Sequence, residues 1–364
     1  MSREKPNIAL IHDHLIQDGG AERVLRVLSS MYPDAPIYTL LHDKKRFGDL
    51  AGREIKTSFL QRIPGALKHY QWLLPLMPTA TEHYDLRDFD VVISSTSAFS
   101  KGVIVHPNAR HICYCHTPTR YLWTDMQEYV RDLKAPGIVK RVLPHYLSRL
   151  RQWDRLAAER VDTFVANSQT VKDRIRKYYQ KDAHILYPPV DTNQFQISNA
   201  PKTYFVAGGR MVAYKRFDLI VDAANRLRVP IKIFGTGPFL ETLKARAKSN
   251  IEFVERITDE EKARLYANSI AYIHPQEEDF GITAVEAMAS GRPVIAFGKG
   301  GALESVRHGV TGVHFPEQSW ESLADAIVRL QDYTFDPLVI QSHAAQFSRQ
   351  RFENGMRELV DSGA

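Results

Sequence analysis

Apolar runs of strand type feed directly into helical stretches, and they do so in two separate series along the chain. In the first, "NIALIHD" leads into "GAERVLRVLSSMY", "DVVISS" and "HICYCH" follow, and "DTFVANS" precedes "QTVKDRIRKYY". In the second, "TYFVAGG" leads to "RFDLIVDAANRL", "IKIFGTG" to "PFLETLKARAKS", "AYIHP" to "TAVEAMASG" and "PVIAF" to "ALESVRHG". Strand–helix alternation of this kind builds parallel sheets covered by helices on both faces, so each series predicts a doubly wound α/β domain. A length of 364 residues suits two cores of ordinary size. The join is expected near "ILYPPVDTNQFQISNAPKTY", where Pro188, Pro189 and polar residues interrupt the periodicity. We therefore expect one domain over 1–190 and a second over 191–345.

Composition narrows the class. With 44% hydrophobic and 25% charged residues and no repeat period, the chain reads as globular. No run approaches the roughly 18 apolar residues of a membrane span, and "MSREKPNIALIHDH" lacks the long apolar run of a secretion signal, so a cytoplasmic location is expected. Cys113 and Cys115, two apart on a strand, point to one face; they read as small packed apolar residues, or else as a metal pair with His111 or His116, and not as a disulfide. The net charge of +6 permits an anionic partner. Two stretches mix basic and apolar residues. Residues 134–160 carry Lys134, Lys140, Arg141, Arg149, Arg151 and Arg155 among Ile138, Val142, Leu147, Leu150 and Trp153, and residues 57–78 form a second, proline-broken stretch. Each either covers a sheet or lies on an anionic membrane. No nucleic-acid motif accompanies the charge, and no nucleic acid is expected as partner.

Ligands of doubly wound folds bind beyond the carboxyl ends of the strands, and between two such domains they would lie in the cleft. The chemistry-bearing motifs fall at those ends. Gly19 and Gly20 stand where a loop enters a helix, so they either let the backbone approach a phosphate or simply start the helix. Arg210 and Lys215 follow "TYFVAGG"; a guanidinium fork and a point ammonium there suit a diphosphate, while solvated surface charges are the plain alternative. His116 stands just past a strand, kept extended by Thr117-Pro118, and is either structural or aimed at the ligand. Glu278 precedes a helix and Glu286 lies in it. Thr283 and Glu286 have the spacing of a capping box, in which Glu286 holds only the first turn; as a loop acid and a helix acid the pair otherwise suits acceptance of sugar hydroxyls. Asp88-Phe89-Asp90 resembles a metal-binding D-x-D but sits at the start of a strand, the wrong end for ligands. His12-Asp13-His14 has no third ligand cluster beside it. No metal and no cofactor are expected.

Taken in order, "GGAERV", "CHTPTRYLW", "VANSQTV", "YPPVD", "GGRMVAYKR", "FGTGP", "EEDFGITAVEAMASGRPVIA", "GKGGALESV" and "FSRQRF" resemble the retaining glycosyltransferases of family 4 over essentially the whole chain. The resemblance implies a GT-B fold, two Rossmann-like domains facing a central cleft, with the last helix, about 346–364, crossing back to complete the first domain. It implies that Glu278 meets hydroxyls of the donor sugar, that Glu286 meets the nucleotide ribose, and that the backbone from Phe280 through Gly281 and Ile282 to Thr283 faces the phosphates. Arg210 and Lys215 match the diphosphate-binding pair, Gly19 and Gly20 the phosphate-side glycines, and His116 the histidine near the sugar. Arg256 and Ile257 match the base-binding loop, where Glu255 replaces the glycine many relatives have before the arginine. Glu304 matches a further acidic position. Within the family the chain most resembles bacterial enzymes of surface-polysaccharide synthesis, implying transfer of mannose from GDP-mannose to a lipid-linked glycan, without a metal, at the inner face of the membrane. A UDP-sugar or other donor, a nucleotide-sugar epimerase or phosphorylase of the same fold, and a non-catalytic nucleotide-sugar-binding subunit are the alternatives.

Overall fold

The computed structural model describes residues 6–133 and 136–362; Lys134, the first base of the 134–160 stretch, lies outside them. Two compact units are present: residues 1–187 together with 353–364, and residues 188–352.

The first unit is built on a parallel sheet of β1 (Ile8–His12), β2 (Ile37–Thr39), β3 (Ile55–Thr57), β4 (Val91–Thr96), β5 (Arg110–Cys115), β6 (Thr163–Ala166) and β7 (His184–Ile185), in the order β3-β2-β1-β4-β5-β6-β7. The second unit carries β8 (Tyr204–Gly208), β9 (Ile231–Phe234), β10 (Ile251–Val254), β11 (Ser269–His274), β12 (Val294–Phe297) and β13 (Gly312–Phe315), in the order β10-β9-β8-β11-β12-β13. Both orders reverse direction once, at β1/β4 and at β8/β11. Each reversal leaves a crevice beyond the strand ends where crossovers depart to opposite faces.

The central strands are legible because both of their faces are covered. Every residue of β1 and β4 is buried; in β1 this turns alternation into an apolar run from Ile8 to Ile11, while in β4 three apolar residues are followed by buried Ser94, Ser95 and Thr96. The helices are amphipathic: Gly20–Met31 buries Val24, Leu25 and Leu28, and Phe217–Leu227 buries Phe217, Ile220, Val221 and Ala224 against Phe205, Ile233 and Ile273. Cys113 and Cys115 are buried and unbridged, and burial pushes the Cys113 thiol up to about 12. The expected helix in "ALESVRHG" is a correction: only the single turn Ala302–Ser305 forms, after which Val306 turns extended. Helix Gly137–Glu159 faces inward with Leu147 and Leu150, while Ile138 and Val142 remain exposed. Among the described residues no helix is long and apolar enough to cross a membrane.

Candidate active site

At the reversal in the first unit, the ends of β1, β4 and β5 meet the start of helix Gly20–Met31. Asp13 follows β1, and its carboxylate accepts from the N–H groups of Ser97 (2.7 Å), Ala98 (2.9 Å), Phe99 (2.9 Å) and Ser100 (2.7 Å) and from Thr96 Oγ1 (3.2 Å). Burial alone would raise this carboxyl, but His12 and the N–H groups of Ser100 and Ser97 outweigh it and hold the group at about 2. Asp13 thereby shapes the loop after β4. Below that loop Lys101 and Asp154 form a buried ion pair of 2.5 Å, and Asp154 also accepts from Thr119 Oγ1 (2.9 Å), Trp123 Nε1 (2.8 Å) and the Tyr179 hydroxyl (2.9 Å). These donors come from the loop after β4, the stretch after His116 and a second helix, so one carboxylate on Gly137–Glu159 ties the loops together.

His116 itself is buried, with Nε2 2.8 Å from Ser95 Oγ. Burial, reinforced by His12, lowers its pKa to about 4, so the ring is neutral near pH 7. Gly19 is the extended residue before the helix and Gly20 its first residue, both exposed. A side chain at Gly19 would start 3.2 Å from Glu22 Oε2, so glycine keeps this entrance open.

The reversal in the second unit carries charge. Lys215 closes the turn Ala213–Lys215 after β8, and its Nζ lies 2.9 Å from Glu278 Oε1 in the loop after β11. Burial alone would lower Lys215, yet Glu278 beside it raises the ammonium above its ordinary value; burial alone would raise Glu278, yet Lys215 and His274 lower it. Arg210, exposed at the end of β8, contributes its charge to Lys215. His274 is sealed under the loop with Nε2 3.9 Å from Glu278 Oε2, and burial drives it down to about 4.

Gly281 occupies the left-handed region (φ +91°) before helix Ile282–Ala289, and a side chain there would sit 3.1 Å from the His274 ring. Thr283 is therefore inside the helix, and the capping box expected from Thr283 and Glu286 does not form: the position before the helix is Gly281, and no side chain caps it. Thr283 Oγ1 instead lies 2.9 Å from the Tyr272 hydroxyl. Glu286 is buried, 3.1 Å from both Lys262 Nζ and the Tyr266 hydroxyl. The capping box of this region is one helix earlier, where Thr258 Oγ1 accepts from Glu261 N–H (3.2 Å) and Glu261 accepts from Thr258 N–H (2.7 Å). Arg256, exposed, and Ile257, half-buried, immediately precede it, and Glu255 pairs with Lys244. Phe280 is buried against Phe347, and Gly301 N–H donates to the Glu278 carbonyl (2.8 Å), bracing the loop from below. Glu304 is half-buried on the turn Ala302–Ser305.

The second unit thus brings together Lys215, Glu278 and the Gly281–Thr283 backbone, with Glu286 one helical turn inward. In the first unit, His116 stands with residues that motif reading missed or misassigned: Ser95, Glu22 and His12. For His12 and Ser95 the signal was polarity at the carboxyl end of a buried strand, as in "ISSTS", where the apolar run of β4 gives way to Ser94, Ser95 and Thr96. Lys262 and Tyr266 were signalled by their four-residue spacing on one helix face. Asp90 accepts from Asn7 N–H (2.8 Å) at the amino end of β4. Among the described residues no three His, Cys, Asp or Glu side chains gather as a metal site.

The family description "Glycosyltransferase Family 4" matches residues 18–194 and "Glycosyl transferases group 1" matches residues 190–334. The chain is 24% identical to alpha-1,3/1,6-mannosyltransferase ALG2 of Dictyostelium discoideum, covering 84% of this chain and 85% of that one. It is 29% identical to the GDP-mannose-dependent alpha-(1-6)-phosphatidylinositol monomannoside mannosyltransferase of Mycobacterium tuberculosis, over 47% of this chain and 52% of that one. The fold matches Anabaena HepE, solved with UDP and glucose, with a TM-score of 0.72 at 19% identity, covering 98% of this chain and 100% of the other.

Proposed function

This chain is a glycosyltransferase of family 4 with the GT-B fold, and we propose that it moves mannose from GDP-mannose onto a hydroxyl of a lipid-linked glycan, with retention of anomeric configuration. The observation that carries this reading is the Lys215–Glu278 pair across the β8/β11 reversal. Its two halves call for opposite ligand groups. An ammonium with Arg210 nearby suits a diphosphate, and an ionised carboxylate suits the donating hydroxyls of a sugar. Mannose and GDP are supported by the mannosyltransferases among the relatives, one of which is GDP-mannose-dependent by name.

In this reading the bond between the sugar C1 and the diphosphate oxygen breaks, and the acceptor oxygen forms its bond to C1 from the same face. The acceptor proton passes to a phosphate oxygen, and GDP leaves. Arg210, Lys215 and the N–H groups at the start of helix Ile282–Ala289 offset the charge that develops on the leaving group. Glu278 and His116 hold the sugar. Glu286, already engaged with Lys262 and Tyr266, offers its remaining lone pairs to the ribose, and Arg256 and Ile257 meet the base. No metal takes part.

The acceptor is reached from the membrane surface. The first unit exposes Trp72 (58%), Ile138 (70%), Leu67, Leu76 and Val142 and, in the same two stretches of sequence, the bases Arg62, Lys68 and Arg141, a composition that suits peripheral contact with anionic lipid at the inner face. Product analysis with a panel of nucleotide sugars, with and without a lipid-linked acceptor, tests the reading. An α-mannoside formed only from GDP-mannose and only with acceptor supports it. Transfer from a UDP-sugar would replace the donor, an epimerised donor would make the chain an epimerase, and tight donor binding without any product would make it a binding subunit. Sedimentation with phosphatidylglycerol vesicles, against phosphatidylcholine vesicles, tests the membrane contact; equal recovery in both pellets would remove it.

A further inference from the structure

Four buried side chains from four segments line up at the carboxyl ends of β1, β4 and β5. Glu22 Oε1 lies 3.5 Å from His12 Nε2, His12 Nδ1 lies 3.2 Å from Ser95 Oγ, and Ser95 Oγ lies 2.8 Å from His116 Nε2. All four are buried, with His12 and Ser95 in the middle almost wholly enclosed and the two ends, Glu22 at 6% and His116 at 9%, keeping slight exposure.

The chemistry of the groups fixes the direction of the hydrogen bonds. An ionised carboxylate only accepts, so His12 presents Nε2–H to Glu22, and when the ring carries that single proton Nδ1 is left as an acceptor. The single proton of the Ser95 hydroxyl is then drawn to His12 Nδ1. Ser95 Oγ is left to accept from His116, whose proton must sit on Nε2. The remaining nitrogen, His116 Nδ1, has a lone pair and no proton. Neighbouring charges do not reverse this order. Asp13 has its oxygens committed to five donors, namely Thr96 Oγ1 and the N–H groups of Ser97, Ala98, Phe99 and Ser100, and Lys101 is committed to Asp154 and the Ala98 carbonyl. Burial favours the neutral form of His116, as its lowered pKa indicates.

We propose that Glu22, His12 and Ser95 are positioning residues that hold His116 as its Nε2–H tautomer, so that Nδ1 accepts a hydrogen bond from a hydroxyl of the bound sugar. The proposal rests on the reading above that His116 meets the donor sugar. It also assigns a specificity: an acceptor-only nitrogen in a dry site suits a neutral, hydroxyl-bearing sugar and disfavours a deoxy sugar or a uronic acid at that position. A stable fold does not require such a series, because apolar side chains of similar shape would fill the same space without needing partners.

Long-range proton–nitrogen NMR correlation on the ligand-free protein with ¹⁵N-labelled histidine reads the tautomers directly, with peaks assigned from His12→Asn and His116→Asn. The parent is expected to show His12 and His116 both protonated on Nε2. Ser95→Ala should release the His116 tautomer and lower kcat roughly tenfold with little change in donor KM, the scale of one lost hydrogen bond, while Ser95→Thr keeps the hydroxyl and restores both. Glu22→Gln, whose amide can donate to His12, should reverse the series and move the His116 proton toward Nδ1. A parent His116 protonated on Nδ1 would overturn the proposal whatever the activity, as would a His116 tautomer unchanged in both Ser95→Ala and Glu22→Gln. The expected tautomers in a parent that transfers no sugar from any donor would leave the series standing and defeat the transferase reading instead.

Discussion

The two units share a strand order and a place for ligands, yet they equip that place differently. At β1/β4 the ionised groups are turned inward, Glu22 to His12 and Asp13 to its own loop, and the buried hydrogen-bonded series ends in Ser95 and a neutral His116. At β8/β11 the groups are charged and partly exposed, with Lys215 and Glu278 paired across two loops and His274 beneath them. The same topology therefore separates tasks. Neutral, directional groups suit reading the hydroxyls of a sugar, whereas paired opposite charges suit a ligand that is itself an anion joined to a polyol.

Removing charge from the second unit should have the largest effect. Arg210→Ala is expected to cut turnover a hundredfold or more, since a lost charged donor to a developing anion costs about 3 kcal/mol; near-normal turnover at saturating donor in a variant of unchanged melting temperature would end the division of labour. Glu278→Gln should reduce transfer roughly tenfold to a hundredfold, the scale of one hydrogen bond to a charged group, and a parent-like rate would mean that the carboxylate meets solvent alone. Glu286→Gln sharpens the comparison within the second unit. Because Glu286 is ion-paired in the interior and caps nothing, the amide should lower stability by about 1–2 kcal/mol as well as weaken donor binding a few-fold. Calorimetric titration beside a melting curve separates the two effects, and unchanged values in both would return the residue to an inert role.

Acid should act through the histidines. His111 and His116 in the first unit and His274 in the second are held near 4 by burial, below the 6.5 of the exposed side chain. Between those values the unfolded chain binds more protons than the folded one, so stability is expected to fall as pH drops from about 6.5 toward 4. Burial also lowers His42 in the first unit and His314 and His343 in the second, so both units should lose stability; melting curves of the parent and of His116→Gln across this range check the share of His116, and equal slopes would assign the loss elsewhere. The smallest effect is expected from chelation: transfer in excess EDTA should match the untreated rate. Loss restored by Mg²⁺ or Mn²⁺ would reopen the Asp88/Asp90 motif.

What could be read from residues alone followed burial. Strands covered on both faces, such as β1 and β12, announce themselves as apolar runs. β2 and β3, three residues each at one edge of the sheet, are too short to show a period. Loop acids and bases at strand ends were legible by position, which is why Lys215 and Glu278 were found. Local rules failed where the backbone overrode them. Thr283 and Glu286 have capping-box spacing, but the left-handed Gly281 starts the helix two residues early, and Glu286 turns inward to Lys262. Partners distant in sequence, such as Ser95 with both His12 and His116, left only the trace of two serines in a buried strand.

The helix Arg349–Asp361 begins in one unit and, from residue 353, belongs to the other. There Met356 and Val360 are buried, and the Arg110 guanidinium donates to the carbonyls of Leu359 and Val360. The first unit is thus begun early in synthesis and finished late, after the whole of the second has left the ribosome. Until then Arg110 and Leu186, which packs on Gly355, have no cover. A nascent chain passes through a stage with one unit complete and the other awaiting its final piece. An excised 1–187 fragment is accordingly expected to melt poorly by circular dichroism until a peptide of residues 349–362 is added, and cooperative melting of the fragment alone would show that the last helix is dispensable.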